Sequence, residues 1–325
     1  MAVNYELLGN YLAEQLTDFR PNFYEIDTGE FWALDPNMNM ITRNADMHIA
    51  TEEIAFFTRK YFGSAAIYDG KGSDIPIVSH QTAIGKIPAV VLINGSEWNI
   101  FDLERENKAN ASGLFVPRQS LTTLNYRGMA DFLNRREHYI TLYGVSSRGV
   151  YGLFNQPTPT VIDYAVNNIY DPAVVTPIDL YRLFIRWIQL FMRQAMISNS
   201  RQIEMKIPER LRVRLTEPYS NEAPTMTVME LLQDPMKGYA IGPITSCTES
   251  EGHNLSLNVE GFPANRDRII MKSSSDAIGQ DYCPRNTTPE TLVNPITWQV
   301  VSYSGISSVY TPRANRVMYI DYLNS

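Results

Sequence analysis

Residues 118–143 constrain this chain more than any other stretch. Leu121, Leu124, Gly128 and Phe132 recur at three-to-four-residue spacing, and Tyr126, Met129, Leu133 and Ile140 form a neighbouring stripe. That periodicity predicts one continuous helix, and no proline interrupts it. At about 1.5 Å per residue, some 26 residues make a rod of roughly 39 Å, about twice the usual globular helix. Gly144 supplies the C-terminal stop. The glycine-rich run that follows, with Gly144, Gly149, Gly152, Leu153, Phe154, Asn155, Gln156 and Pro157, predicts a sharply turned corner at the end of a stiff spine.

The rest of the chain reads in order around that spine. Tyr5, Leu8, Leu12, Leu16 and Phe19 predict a short amphipathic helix over residues 4–19 that stops at Pro21. Phe23, Tyr24, Phe31, Trp32, Met38 and Met40 then follow without a period. Such a stretch is too apolar for a free tail. It reads as an arm laid on a neighbouring subunit or packed on its own domain. Thr51, Glu52, Glu53, Ile54, Phe57 and Tyr61 predict a second helix ending at Gly63. Residues 74–78 and 87–93 predict two strands of a protruding hairpin joined around Gln81–Lys86, with Pro76 and Pro88 confining them to edges. Glycines 70, 72, 85 and 95 are expected to let that hairpin bend. A helix is expected over 102–111.

Beyond the corner, residues 157–172 read as irregular. Thr176, Pro177 and Asp179 open a helix reaching about Asn199, with Leu180, Leu183, Phe184, Trp187, Phe191 and Ala195 as its buried stripe. Residues 205–216 read as a strand with Leu211, Val213 and Leu215 on one face and Arg210, Arg212 and Arg214 on the other. Such an arginine row is either a solvated face or a contact for phosphate or carboxylates. Thr227 and Glu230 form a capping box for a short helix. Strands are expected at 254–259, 268–272, 297–303 and 316–322.

Composition excludes several classes of function. The net charge is −7 with no basic run, which argues against sequence-specific nucleic-acid reading. No apolar run reaches the roughly 18 residues of a membrane span. The 19% charged share is low, as it is where surface is buried against other copies. Cys247 and Cys283 lack a second cysteine or a histidine at ligand spacing and read as free thiols. Neither the Gly70–Ser73 stretch nor Gly149-x-x-Gly152 completes a phosphate loop, and Ser146 and Ser147 lack nucleophile-elbow spacing. His48, His80, His138 and His253 stand apart, and His138 reads as a charge partner near a helix C-terminus. No catalytic residue, metal or cofactor is expected, so the work of the chain falls to its surfaces.

The order of elements resembles the major capsid protein of tailed bacteriophages, a fold shared with encapsulin shells. The most specific part is the spine followed by Gly149-x-x-Gly152-Leu153-x-Asn155-x-Pro157. Thr51–Ile54, Asp74–Val78, Gly305-Ile306, Thr311–Ala314 and Tyr319–Asp321 fit the same pattern. The resemblance implies an α+β fold with five parts. These are an N-terminal arm (1–46), a peripheral domain with the spine helix (47–64 and 100–159), an extended β-hairpin loop (65–99), an axial domain (160–290), and C-terminal strands returning to the peripheral domain (291–325).

It also implies a structural protein rather than an enzyme. Its copies would form the pentamers and hexamers of an icosahedral shell around double-stranded DNA, in a virion whose parts are made in the host bacterial cytoplasm. Scaffold, portal and decoration proteins would be separate partners, DNA would be a non-specific neighbour, and no membrane would be involved. No Lys/Asn crosslink is expected. Arg210, Arg212, Arg214, Phe31 and Trp32 are the candidate inter-subunit contacts. An encapsulin-like compartment with enzyme cargo shares the fold and stays open. An enzyme using carboxylates and His138 is the reading from a different class.

Overall fold

The computed structural model describes residues 31–35, 40–62, 79–111, 121–164, 168–220, 223–234 and 241–324. The expected helix at 4–19, the strand at 74–78 and glycines 70 and 72 lie outside the described residues.

The first elements are β1 (Thr42–Asn44), β2 (Glu53–Phe62), β3 (Ser79–Asn99), α1 (Ile100–Ala111) and α2 (Leu121–Tyr143). Next come β4 (Thr160–Tyr164), α3 (Pro177–Ala195), β5 (Ile203–Pro208), α4 (Glu209–Leu215), β6 (Pro218–Ser220), β7 (Ala223–Thr227), α5 (Val228–Gln233), β8 (Ile244–Cys247) and α6 (Gly252–Asn258). Five strands close the order: β9 (Arg266–Ser273), β10 (Gly279–Thr287), β11 (Thr291–Asn294), β12 (Thr297–Ser307) and β13 (Val317–Leu323). The chain divides into two compact units. Elements β3, α2 and β12 each run from one unit into the other.

The smaller unit holds residues 95–131 and 288–301. Helix α1 starts on a reciprocal cap: the Asp102 amide donates to Asn99 Oδ1 at 3.0 Å, and the Asn99 amide donates to Asp102 Oδ2 at 3.3 Å. Trp98, Met129 and Val300 are buried together, with Leu103 and Trp298 packed against them. Gly95 crosses so near the Val300 carbonyl that a Cβ would stand 3.3 Å from it. Close approach, rather than bending, explains this glycine.

The larger unit holds the described residues of 31–94, 132–287 and 302–324. Its centre is the five-stranded sheet β4-β13-β9-β5-β8, in which β13 runs antiparallel to β9 and parallel to β4. Successive residues of a strand point to opposite faces, and here both faces are buried. Ile269, Met271, Met318, Ile320 and Tyr322 join Leu180, Phe184, Trp187 and Phe191 of α3 on one side. Ile270, Val317 and Tyr319 join Leu142, Tyr143, Leu153, Phe154 and Trp32 on the other. Strand β13 thus lies inside this sheet, between β4 and β9, while β12 pairs with β10 and belongs to the sheet that carries β3.

Several expectations hold. The spine is helical from Leu121 to Tyr143 and stops at Gly144, whose φ is +72°. Thr176 caps α3 through the Asp179 amide, and Thr227 and Glu230 form both bonds of their capping box. Helix α3 ends at Ala195, earlier than Asn199, because Met196 turns left-handed at φ 53°.

Others fail. Residues 53–62 form a strand, not a helix: Glu53 to Phe62 pair antiparallel with Pro88 to Ser79. Gln81–Lys86 therefore lies within the first half of a 21-residue strand rather than in a hairpin turn. Ile54, Phe56, Phe57, Thr58 and Tyr61 all favour strands, and a distant partner decided the matter. Residues 209–215 form a helix, not a strand. Leu211 and Leu215, four apart, are both fully buried, and Val213 is 63% exposed. Residues 252–258 are also helical, with Leu255 buried and Leu257 outside. In both cases an i,i+4 pair coincided with an alternating pattern, and the helical period won. The stretch expected to be irregular at 157–172 contains β4, parallel to β13.

Candidate assembly surfaces

The corner after the spine is a backbone clasp. A Cβ on Gly144 would stand 2.2 Å from the Val150 carbonyl oxygen, and one on Gly152 would stand 2.4 Å from the Leu142 carbonyl. Only glycine permits that approach. The amides of Leu153 and Phe154 donate back to the carbonyls of Thr141 and Leu142 at 2.7 and 2.9 Å. Asn155 closes the turn: its Oδ1 accepts from the Gly152 amide at 2.6 Å, and its Nδ2 donates to the Tyr143 carbonyl at 2.8 Å. Gln156 Nε2 donates to the carbonyls of Gly152 and Val309. Arg268 forms a bidentate pair with Asp321 at 2.7 Å and donates a further bond to the Phe154 carbonyl. Gly152, Asn155 and Gln156 are thus accounted for by backbone they touch, and Leu153 and Phe154 by burial in the core.

The β2–β3 ribbon is built differently. Ten residue pairs from Glu53↔Pro88 to Phe62↔Ser79 make it roughly 30 Å long at about 3.3 Å per residue. Phe57 and Ile84 are directly paired across the strands and are 72% and 64% exposed. The next pair holds the base. Phe56 lies over Gly85, where a Cβ would meet its ring at 2.4 Å, and it stacks on Tyr310 at 6.2 Å. Gly85, like Gly95, serves close approach rather than bending.

On the same unit a groove of about 520 Å³ is lined by Val91, Leu92, Ile93, Asn94, Phe132, Leu133 and Arg136. Ile93 and Phe132 are 70% and 65% exposed. Ribbon and groove therefore each present apolar side chains to solvent, and such surface marks interaction sites.

The five contact residues expected from sequence do not share a surface role. Trp32 is buried in the chain's own core, with Lys206 Nζ 3.7 Å from its ring centroid. Ala33, Met40 and Ile41 are buried in the same cluster, so these four residues pack on the chain's own body. Phe31 is half-buried against His138, with ring centroids 5.8 Å apart. The arginine row does not form. Arg214 points inward, pairs with Glu217 and donates to the Val175 carbonyl at 2.7 Å. Arg210 lies over the Tyr170 ring, and exposed Arg212 pairs with Glu209 at 3.3 Å. His138 faces Glu249 at 3.6 Å rather than the carbonyl end of its helix.

Buried polar groups elsewhere have structural partners. Asp267 accepts from Tyr170, from the Gly252 amide at 2.7 Å and from Asn324 at 2.6 Å. Burial, reinforced by that carboxylate, pushes the Tyr170 hydroxyl far above the usual phenol range. Cys247, buried in the same cluster as Trp32, is pushed up to about 12 by burial, the opposite of a reactive thiol. Among the described residues no group of three His, Cys, Asp or Glu could hold a metal. No helix among them is long and apolar enough to cross a membrane.

No family model and no curated protein matches the chain by sequence. Solved structures do match. The capsid of Myoviridae phage XM1 is similar at a TM-score of 0.71 with 12% identity, covering 96% of this chain and 98% of that one. The capsid of a native GTA particle aligns at 0.62 with 8% identity over 99% of both chains. The capsid of cyanophage P-SCSP1u aligns at 0.55 with 11% identity over 95% and 93%. At such identities the shared property is the fold. The chain therefore has the mixed α+β fold of these phage capsid chains.

Proposed function

We propose that the chain is a structural major capsid protein whose copies assemble into an icosahedral shell enclosing double-stranded phage DNA. The observation that carries this reading is the match, end to end on both sides, to chains that form capsids. A fold alone does not fix a function. The second support is physical: the ribbon and the Ile93/Phe132 groove leave apolar surface in water on a single chain.

In this reading the ribbon is the extended loop, and its Phe57/Ile84 pair is covered by another copy. The spine and its clasp stiffen the peripheral domain, assigned to 47–64 and 100–159, and residues 160–290 pack around the capsomer axes. Arg210, Arg212 and Phe31 remain candidate contacts between copies. Scaffold, portal and decoration proteins are the separate partners, and the virion capsid is the location.

The test is electron microscopy of the protein expressed with a scaffold. Closed shells are the expected result, and a well-behaved monomer under every assembly condition overturns the reading. The contents of the shell then separate a phage capsid, which holds DNA, from an encapsulin-like compartment, which holds a protein cargo.

A further inference from the structure

The rotation of helix α3 is fixed by its apolar stripe. Leu180, Phe184, Trp187, Ile188, Phe191 and Ala195 are buried in the core on one side of the five-stranded sheet. The arc opposite that stripe has a different chemistry. At about 100° per residue, Arg182, Arg186, Gln189 and Arg193 fall within roughly 60° of one another, and all four are exposed. The helix holds these three arginines against one acid, Asp179, in a chain whose net charge is −7.

Little inside the chain offsets that ridge. Asp179 serves the helix cap, where its carboxylate accepts from the Thr176 hydroxyl at 2.7 Å. It also lies 3.6 Å from Arg182, but both side chains are more than half exposed, and such pairs hold weakly in water. Among the described residues neither Arg186 nor Arg193 forms an ion pair. At the far end Gln194 donates to the carbonyls of Asn315 and Val317 at 3.3 and 3.2 Å, which seats the turn before β13 against the helix. The cations of that turn are already compensated, because Asp276 lies 3.4 Å from Arg313 and also attracts Arg316.

We propose that this ridge is where the chain meets nucleic-acid backbone, and that its occupant is duplex DNA. The presence of DNA rests on the capsid reading; the place rests on the ridge. A duplex carries one negative charge per roughly 1.7 Å of its axis. The ridge runs about 16 Å from Arg182 to Arg193, so phosphates come within reach of all three guanidinium groups in any register, and no base is read. The guanidinium fork matches phosphate oxygens. A protein partner fits less well: protein interfaces centre on buried aromatic or apolar anchors, and the fourth member of this ridge is Gln189. The rest of the chain is net acidic, so the attraction is local to this face. In a closed shell it turns the α3 side of the sheet toward the contents.

The test uses the full, unassembled chain and a short fluorescent DNA duplex. Three phosphate contacts should weaken wild-type binding about 80-fold between roughly 20 and 100 mM salt. The triple variant Arg182→Gln, Arg186→Gln, Arg193→Gln should bind at least tenfold more weakly at the lower salt and lose most of the salt dependence. Its melting temperature should hardly change, since the replaced side chains are exposed. Arg285→Gln removes another exposed arginine and should leave binding as it is. In a second measurement, phenylglyoxal modification is read residue by residue by mass spectrometry. Duplex should slow it at least threefold at Arg182, Arg186 and Arg193 and leave Arg285 unaffected. That measurement decides should the triple variant fail to fold. No wild-type binding at the lower salt, undiminished binding by the triple variant, or equal protection at Arg285 overturns the proposal. So does a folded triple variant that binds duplex normally but no longer assembles, because the ridge is then a contact between copies. None of these readouts needs a shell, so a failure to form shells overturns the capsid reading separately.

Discussion

The clasp at 144–157 and the ribbon of 53–62 with 79–88 are opposite solutions within one unit. In the clasp the side chains of Asn155 and Gln156 turn inward and bond to backbone at Tyr143, Gly152 and Val309. Leu153 and Phe154 are completely buried there. In the ribbon the two strands pair with each other, but the side chains of Phe57 and Ile84 are left in water. The clasp is finished in one copy of the chain, and the ribbon is not. A protein that needed only to fold would bury such an apolar pair, so the contrast separates residues that serve the fold from residues available for assembly.

The sharpest way to break that contrast is at Gly152. A valine there would drive its Cβ to within 2.4 Å of the Leu142 backbone, which cannot yield as a side chain tip can. The expected outcome is a loss of more than about 4 kcal/mol, beyond what most single changes cost. In practice this means no cooperative thermal transition and insoluble expression. A soluble Gly152→Val protein with a normal melting curve would show that the corner tolerates rearrangement and that its role in the fold is overstated.

Asn155→Ala probes the same corner more gently. It leaves the Gly152 amide and the Tyr143 carbonyl without the partners they hold at 2.6 and 2.8 Å. Orphaned groups of this kind cost about 1–3 kcal/mol each. A lowered urea midpoint with an unchanged slope is the expected readout. Asn155→Asp keeps the acceptor and loses the donor, so it should fall between wild type and alanine.

The contrast also explains what could be read from the sequence. Glycines 144 and 152, Asn155, the Thr176 cap and the Thr227/Glu230 capping box act over a few residues, so residue type and spacing were enough to place them. The spine was legible for the same reason. The ribbon was not: residues 53–62 carry helix-like acids at their start, and only pairing with residues 79–88 makes them a strand. The arginine row failed because Leu-x-x-x-Leu hides inside an alternating Leu/Arg pattern, and Pro208 with Glu209 opens a helix just before it. Trp32 reads from sequence as an apolar contact between copies, whereas it is buried in the chain's own core. Its burial depends on Lys206 and His138, more than a hundred residues away. Assembly surfaces are the hardest case, because an exposed Phe57 has the same signature as a core phenylalanine until the fold places it outside.

Gly85→Ala tests the base of the ribbon. The added methyl meets the ring of Phe56 rather than backbone, so the ring can swing aside. The cost should be about 1 kcal/mol or less, since alanine also restrains the unfolded chain. A change above about 3 kcal/mol would mean that the Phe56–Tyr310 stack cannot move, and that the ribbon root is as rigid as the clasp.

The smallest effect on stability belongs to the most informative change. Phe57→Ser with Ile84→Ser removes the exposed cross-strand pair. Cross-strand apolar contacts contribute roughly 0.2–1 kcal/mol, and substitutions at exposed positions stay near 0.5 kcal/mol, so the melting temperature of the isolated chain should hardly move. Assembly should respond quite differently. If a second copy covers Phe57 and Ile84, each copy loses two buried apolar side chains at about 1.5–3 kcal/mol apiece, multiplied over every contact in a closed shell. Sedimentation of the double variant expressed with a scaffold should then show folded, unassembled protein. Wild-type yields of shells would mean that the pair stays in water in the particle, and the surface serving assembly would have to be sought at Ile93 and Phe132 instead.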